Sequence, residues 1–181
     1  MPRITPIDPA HADPAVQSTL SAVKGKIGMV PNLFTIFARS PAALNGYLAF
    51  SDALTHGALT AKQREIIALT VGQANGCHYC LSAHTLMGKG AGLTPEDILA
   101  ARHGKAQDPV DNAVAALARR VVEARGQVSD ADLASARSAG LDDARIVEVI
   151  AGVALNVLTN FTNNVAQTDI DFPKIEVALS A

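Results

Sequence analysis

The sequence predicts an all-α fold, a single-domain helical bundle spanning residues 1–181. Three observations point that way. Apolar residues recur at i, i+3 and i+4 spacing, and no segment alternates convincingly between apolar and polar with period two. The periodic segments are bounded by helix signals, with Asp, Ser or Thr before them and Gly after them. The composition is 49% hydrophobic but only 4% aromatic, with no tryptophan, which suits an interior of closely spaced helices packed through alanine and leucine. A chain of this length can enclose one real core.

The elements follow in order. Residues 1–12 carry three prolines and form an arm expected to lie over the surface or over a neighbouring subunit. Asp13-Pro14 reads as a cap with proline in the first turn, opening a helix to about Lys26. Gly28 to Asn32 is a turn, Leu33 to Arg39 a short apolar helix, and Pro41 starts another that turns Leu44, Leu48 and Leu54 inward and ends at His56-Gly57. Thr60 with Gln63 forms a capping box for a helix over Ala61 to Ala74, which supplies Ile66, Ile67, Leu69 and Val71 to the core. Asn75-Gly76 stops it, and a second helix starts at the cysteines and runs to about Gly90. Thr94-Pro-Glu-Asp opens a helix closed by Gly104, Pro109 to Arg125 forms another, and Ser129 opens a short one ended by Gly140. The last long helix begins at Asp142 and runs past Asn160 towards Gln167.

The chain is organised around Glu65 to His84. This stretch holds both cysteines of the chain, Cys77 and Cys80, in Cys-x-x-Cys spacing, with His84 four residues later and Glu65 twelve residues earlier. If Cys80 and His84 share a helix, they lie one turn apart on one face. A thiol beside an imidazole is an acid–base pair that can make thiolate at neutral pH. Cys77, at the helix start, meets free N–H groups and partial positive charge, which also favour thiolate, and is expected nearer solvent. Folding back at Gly76 returns Glu65 to within about one turn of His84, a gap that one water could bridge.

Glu, Cys-x-x-Cys and x-x-x-His in this spacing resemble the AhpD-like alkylhydroperoxidases of the carboxymuconolactone decarboxylase superfamily. The resemblance is strong over about Leu59 to Leu93. It extends more loosely to Gly28-Met-Val-Pro-Asn-Leu-Phe34 and to Asp169-Ile-Asp-Phe-Pro173, both similar to the peroxidase-related branch. It implies an AhpD-like helical domain in which Cys77 and Cys80 cycle between dithiol and disulfide while Glu65 and His84 form a proton relay. The implied activity is reduction of hydroperoxides without metal, haem or flavin. The implied partners are a lipoyl-protein or thioredoxin-like dithiol reductant and further copies of the chain, as trimers or their multiples. The best-studied members carry a second His immediately before the second Cys, where this chain has Tyr79. Its own extra histidine, His78, lies one place earlier. Both are expected either to line the site or to pack beside it.

Other chemistries fit less well. Haem attachment needs His directly after the second Cys, where Leu81 stands. Zinc has four potential ligands in Cys77, His78, Cys80 and His84, but they crowd one helical turn and a half. The alternative to an enzyme is thus a zinc-binding or redox-sensing helical module. The superfamily's namesake lyases, a further alternative, lack the cysteine pair. Asn156, Asn160, Asn163 and Asn164 share one side of the last helix, as a polar face, a subunit contact or a site lining. A formal charge of −2 argues against nucleic acid or an anionic membrane as the main partner. The opening residues contain no apolar signal core, and Ile146 to Leu158 is short and interrupted for a membrane span, so the expected compartment is the cytoplasm.

Overall fold

The structure, a computed structural model, describes residues 2–178. Those residues form nine α-helices and one 3-10 turn, Pro9–His11, with no strand. The helices are α1 Pro14–Ile27, α2 Asn32–Phe37, α3 Pro41–Thr55, α4 Ala61–Ala74, α5 His78–Gly90, α6 Pro95–Arg102, α7 Pro109–Glu123, α8 Asp130–Ser138 and α9 Asp143–Ala166. The bundle is all-α, as the sequence predicts. The start signals act locally. Asp13 and Asp108 accept hydrogen bonds from first-turn N–H groups, and Thr60, Thr94 and Ser129 each close a capping box.

Helix α4 is the axis of the bundle, packed against α5, α6, α7 and α9. Its apolar residues point in more than one direction, which is why it is buried nearly all round. Ile67 and Val71 join Val114, Leu117, Val149 and Val153 in one cluster, while Ile66 and Leu69 join Leu81, Leu93 and Ile98 in another. A third cluster holds Val16, Leu20, Leu33, Phe34, Phe37 and Leu44 against Cys77, Tyr79 and Cys80. The cysteines are thus part of the packing between α5 and the first three helices. Helix α3 is the least embedded of the three, with Leu44 buried but Leu48 and Leu54 only half-buried.

The surface arm is present, and one expectation is revised. The N-terminal arm lies on its own chain: the Arg3 N–H donates to the Ala166 carbonyl at 2.6 Å, the Ile7 N–H to the Thr35 carbonyl at 3.0 Å, and Arg39 holds the carbonyls of Thr5 and Pro6. Helix α9 is 24 residues long, and among the described residues it is the one helix long and apolar enough to cross a bilayer by length and composition. Of the asparagines that interrupt its sequence, Asn156, Asn160 and Asn163 are buried on its inner side and Asn164 lies at its edge, and the helix continues through them. It packs against α2, α3, α4, α5 and α7 as a core helix does.

Candidate active site

The site is built on the α4–α5 hairpin. Gly76 turns the chain with φ +62°, a conformation glycine adopts without strain, and Cys77 caps α5 by accepting the Cys80 N–H on its Sγ at 3.1 Å. The two cysteines are joined as a disulfide with Cα atoms 5.3 Å apart, ordinary for such a bond. Both are buried, Cys77 fully and Cys80 to 2% exposure. The expectation that Cys77 lies nearer solvent is therefore wrong. As cap it sits in the α4–α5 turn, and α1 and α2 pack over that turn.

Folding back at Gly76 brings Glu65 onto His84. The Glu65 carboxylate meets His84 Nδ1 at 2.8 Å, so the pair is direct where spacing alone left room for a water. Both side chains are mostly buried. With Nδ1–H given to the carboxylate, Nε2 of neutral His84 carries the free lone pair. The pair opens on a cavity of about 250 Å³ between α3, α4, α5 and α9, lined also by Tyr47, Leu54, Met87 and Asn156. Burial raises the pKa of the Tyr47 hydroxyl, and Glu65 adds a smaller push the same way, so this phenol stays neutral.

The other flank of the disulfide is closed by segments distant in sequence. The Leu33 N–H donates to the Tyr79 hydroxyl at 3.2 Å, and the Asn32 N–H donates to the Asp171 carboxylate at 2.7 Å. Asn32 Nδ2 holds the Asp169 carbonyl at 2.9 Å, and Phe172 meets the Tyr79 ring edge-on. This clasp lies over α5, and the Ile175 N–H extends it to Ser82 Oγ at 3.0 Å. Burial pushes the Tyr79 hydroxyl far above its usual range, and the Asp171 carboxylate pushes it further.

Known proteins show the same arrangement of helices. The model of the carboxymuconolactone decarboxylase family matches residues 41–124. The AhpD core of an uncharacterized peroxidase-related protein from Ralstonia eutropha JMP134 superposes with a TM-score of 0.85 at 27% identity, over 94% of this chain and 92% of that one. Over residues 41–124 the chain matches the carboxymuconolactone decarboxylase family, and over nearly its whole length it shares the AhpD-core fold. Two more distant structures share the fold. One is an uncharacterized peroxidase-related protein from Silicibacter sp. TM1040, with a TM-score of 0.80 at 24% identity over 92% of each chain. The other is the debrominase Bmp8 in complex with 2,3,4-tribromopyrrole, with a TM-score of 0.79 at 16% identity over 93% of this chain and 91% of that one. No curated protein matches the sequence.

Within this fold, the residues singled out from sequence divide into two groups. Cys77, Cys80, His84 and Glu65 come together on the hairpin. Tyr79 is buried in the clasp, and His78 sits half-exposed at the rim, its Nδ1 3.7 Å from Glu176. The zinc set does not converge: its sulfurs are bonded to each other, His84 faces Glu65 and His78 faces the tail. Among the described residues no group of three or more His, Cys, Asp or Glu is placed to share a metal. One residue that sequence reasoning left undecided touches the sulfur. Asn163 of α9 is 3% exposed, and its Nδ2 donates to Cys80 Sγ at 3.4 Å. Its neighbours Asn160 and Asn164 hold Asn75 instead, tying α9 to the α4–α5 turn. The spacing of the four asparagines puts them on one side of α9, but which of them meets a cysteine depends on how α9 crosses α5.

Proposed function

We propose that the chain is a thiol-dependent peroxidase that reduces hydroperoxides through the Cys77–Cys80 pair. The observation that carries this reading is the placement of a bonded cysteine pair one helical turn from a direct His84–Glu65 pair that opens on a cavity. In the dithiol state His84 takes the Cys80 proton, and Glu65 holds the imidazole in the tautomer that can accept it. The Cys80 thiolate attacks the terminal oxygen of the hydroperoxide. An S–O bond forms, the O–O bond breaks, and the departing alkoxide takes the proton back as an alcohol. Cys77 then attacks the Cys80 sulfenic acid, the S–S bond forms and water leaves. An external dithiol, from a lipoyl-protein or a thioredoxin-like partner, returns the pair to the reduced state. Cys80 is assigned as the attacking residue because the helix places His84 one turn along its own face.

The test is an anaerobic thiol count on the reduced protein before and after one equivalent of hydroperoxide. Two thiols should disappear without intermolecular crosslinking. Two free thiols after treatment would rule the reading out.

The working form proposed is a cytoplasmic homo-oligomer, a trimer or a multiple of one. Its support is an exposed apolar stripe on α9, comprising Val147, Ile150, Leu158, Phe161 and Val165. Light scattering at micromolar concentration should return a multiple of the chain mass, and Phe161→Glu should lower it to that of one chain.

A further inference from the structure

Each sulfur of the pair has its own donor. Cys77 Sγ takes the backbone N–H of Cys80, a contact that any residue capping α5 through its side chain would receive. Cys80 Sγ takes Asn163 Nδ2, from a side chain on another helix 83 residues away. The backbone alone thus favours Cys77 as the thiolate, by the positive end of α5. Asn163 acts on Cys80 only.

We infer that Asn163 is a catalytic residue of the dithiol cycle, its amide N–H holding the Cys80 thiolate and making Cys80 the more acidic of the two thiols. This inference rests on the proposed peroxidase reading for its role, but not for its test.

Three features support it. A hydrogen bond to the charged form of an acid favours that form, and more strongly inside a protein than in water. Asn163 is buried, so water does not compete for its amide. Among the described residues its Oδ1 meets no hydrogen-bond donor, which leaves it able to accept one from a bound molecule. Asn163 also lines a second cavity of about 250 Å³, separate from the His84 cavity, beside His78, Tyr79 and Thr168. A peroxide entering there could donate its O–H to the open Oδ1 while Nδ2 keeps the sulfur charged. The oxygen is then presented to the thiolate, and the products are those of the cycle above.

The ionisable groups around Cys80 are few. Glu65 and His84 stand on α4 and α5, and Tyr47 on α3. His78 and Tyr79 stand at the start of α5, with Asp171 and Glu176 in the tail. On α9 the carboxylate of Glu148 lines the His84 cavity, where it accepts the N–H groups of Ala58 and Leu59, and the group this helix places on the sulfur itself is the neutral amide of Asn163.

The experiment titrates the thiolate absorbance near 240 nm in the reduced Cys77→Ser protein, which reads the charge on Cys80 without requiring turnover or reagent access. Both tyrosines have raised pKa values and do not interfere below pH 9. Asn163→Leu should cut the thiolate fraction at pH 7 about ten-fold, the loss of one charge-assisted hydrogen bond. Asn163→Asp, of nearly the same volume, should cut it further by placing a carboxylate against the sulfur. It also serves as the measurement if the leucine variant does not fold. In reduced protein with both cysteines present, Asn163→Leu should move the first site of alkylation from Cys80 to Cys77. A titration unchanged by both substitutions overturns the inference. If the shift occurs but hydroperoxide leaves both thiols free, the inference stands and the peroxidase reading fails.

Discussion

The two flanks of the Cys77–Cys80 bond are built from different parts of the chain and carry different duties. On one side a continuous hairpin, Glu65 to His84, delivers a carboxylate, an imidazole and a cavity. On the other side Asn32, Tyr79, Asp171 and Phe172, drawn from three distant segments, clasp one another over α5 and bury both sulfurs. The first flank holds groups that can exchange protons. The second holds backbone hydrogen bonds and aromatic packing. Their difference suggests that reactivity and accessibility are set separately here, so substitutions should separate them too.

The largest effects belong to the hairpin. Cys80→Ser should abolish peroxide turnover. His84→Ala should slow reaction with peroxide by about 10²- to 10⁴-fold, the range for loss of a general base. Glu65→Gln, which keeps the size but removes the charge behind the imidazole, should cost less than His84→Ala. If Glu65→Gln cost more, Glu65 would be acting on the sulfur directly and the two-step relay would need redrawing. Stopped-flow oxidation of the reduced proteins measures all three.

Next comes the clasp. Asp171→Ala leaves the part-buried Asn32 N–H without its acceptor, a loss of about 1 kcal/mol of stability. The same change should loosen the tail over α5, so that reduction of the disulfide by dithiothreitol speeds up about ten-fold while oxidation of the reduced protein by peroxide hardly changes. Equal effects on both half-reactions would show that the flanks are not separable.

The smallest effect at working pH is electrostatic. The Tyr79 pKa is raised above the usual phenol value of 10.0, chiefly by burial. The folded state therefore keeps the proton that the unfolded chain gives up. The associated stability is complete below pH 10 and is lost as pH rises from there towards the folded value. Denaturant midpoints should be flat in this respect from pH 7 to 9 and fall above 10. Tyr79→Phe should start lower, through the unsatisfied Leu33 N–H, and fall less steeply.

The contrast between the flanks also explains what could be read from sequence. The hairpin was legible because its signals are local. Thr60-x-x-Gln63, Asn75-Gly76 and the i,i+4 step from Cys80 to His84 each fix geometry within a few residues, and the fold-back at Gly76 carried Glu65 to His84 with an error of one water. All nine helices have comparable local start signals except α2 and α5. The clasp was not legible, because hydrogen bonds such as Asn32 to Asp171 join positions 139 residues apart and leave no periodic trace. In the sequence its two segments stand out only as short matches to a family. Burial of Cys77 was misread for the same reason: a helix cap is usually near solvent, and here α1 and α2 happen to cover it. By spacing alone, Asn163 is one of four polar residues on a face. Its contact with Cys80 depends on the crossing of α9 and α5, which the sequence of neither helix specifies.

The central claim is that Cys80 is the residue that attacks peroxide, with His84 as its base. It is tested most directly by locating the sulfenic acid after one equivalent of hydroperoxide, using dimedone trapping and peptide mass spectrometry on single-cysteine variants. Cys77→Ser should carry the adduct on Cys80, and adding His84→Ala should slow its appearance by at least ten-fold. Cys80→Ser should show little adduct on Cys77. An adduct that accumulates on Cys77 instead, at a rate indifferent to His84→Ala, would contradict the account.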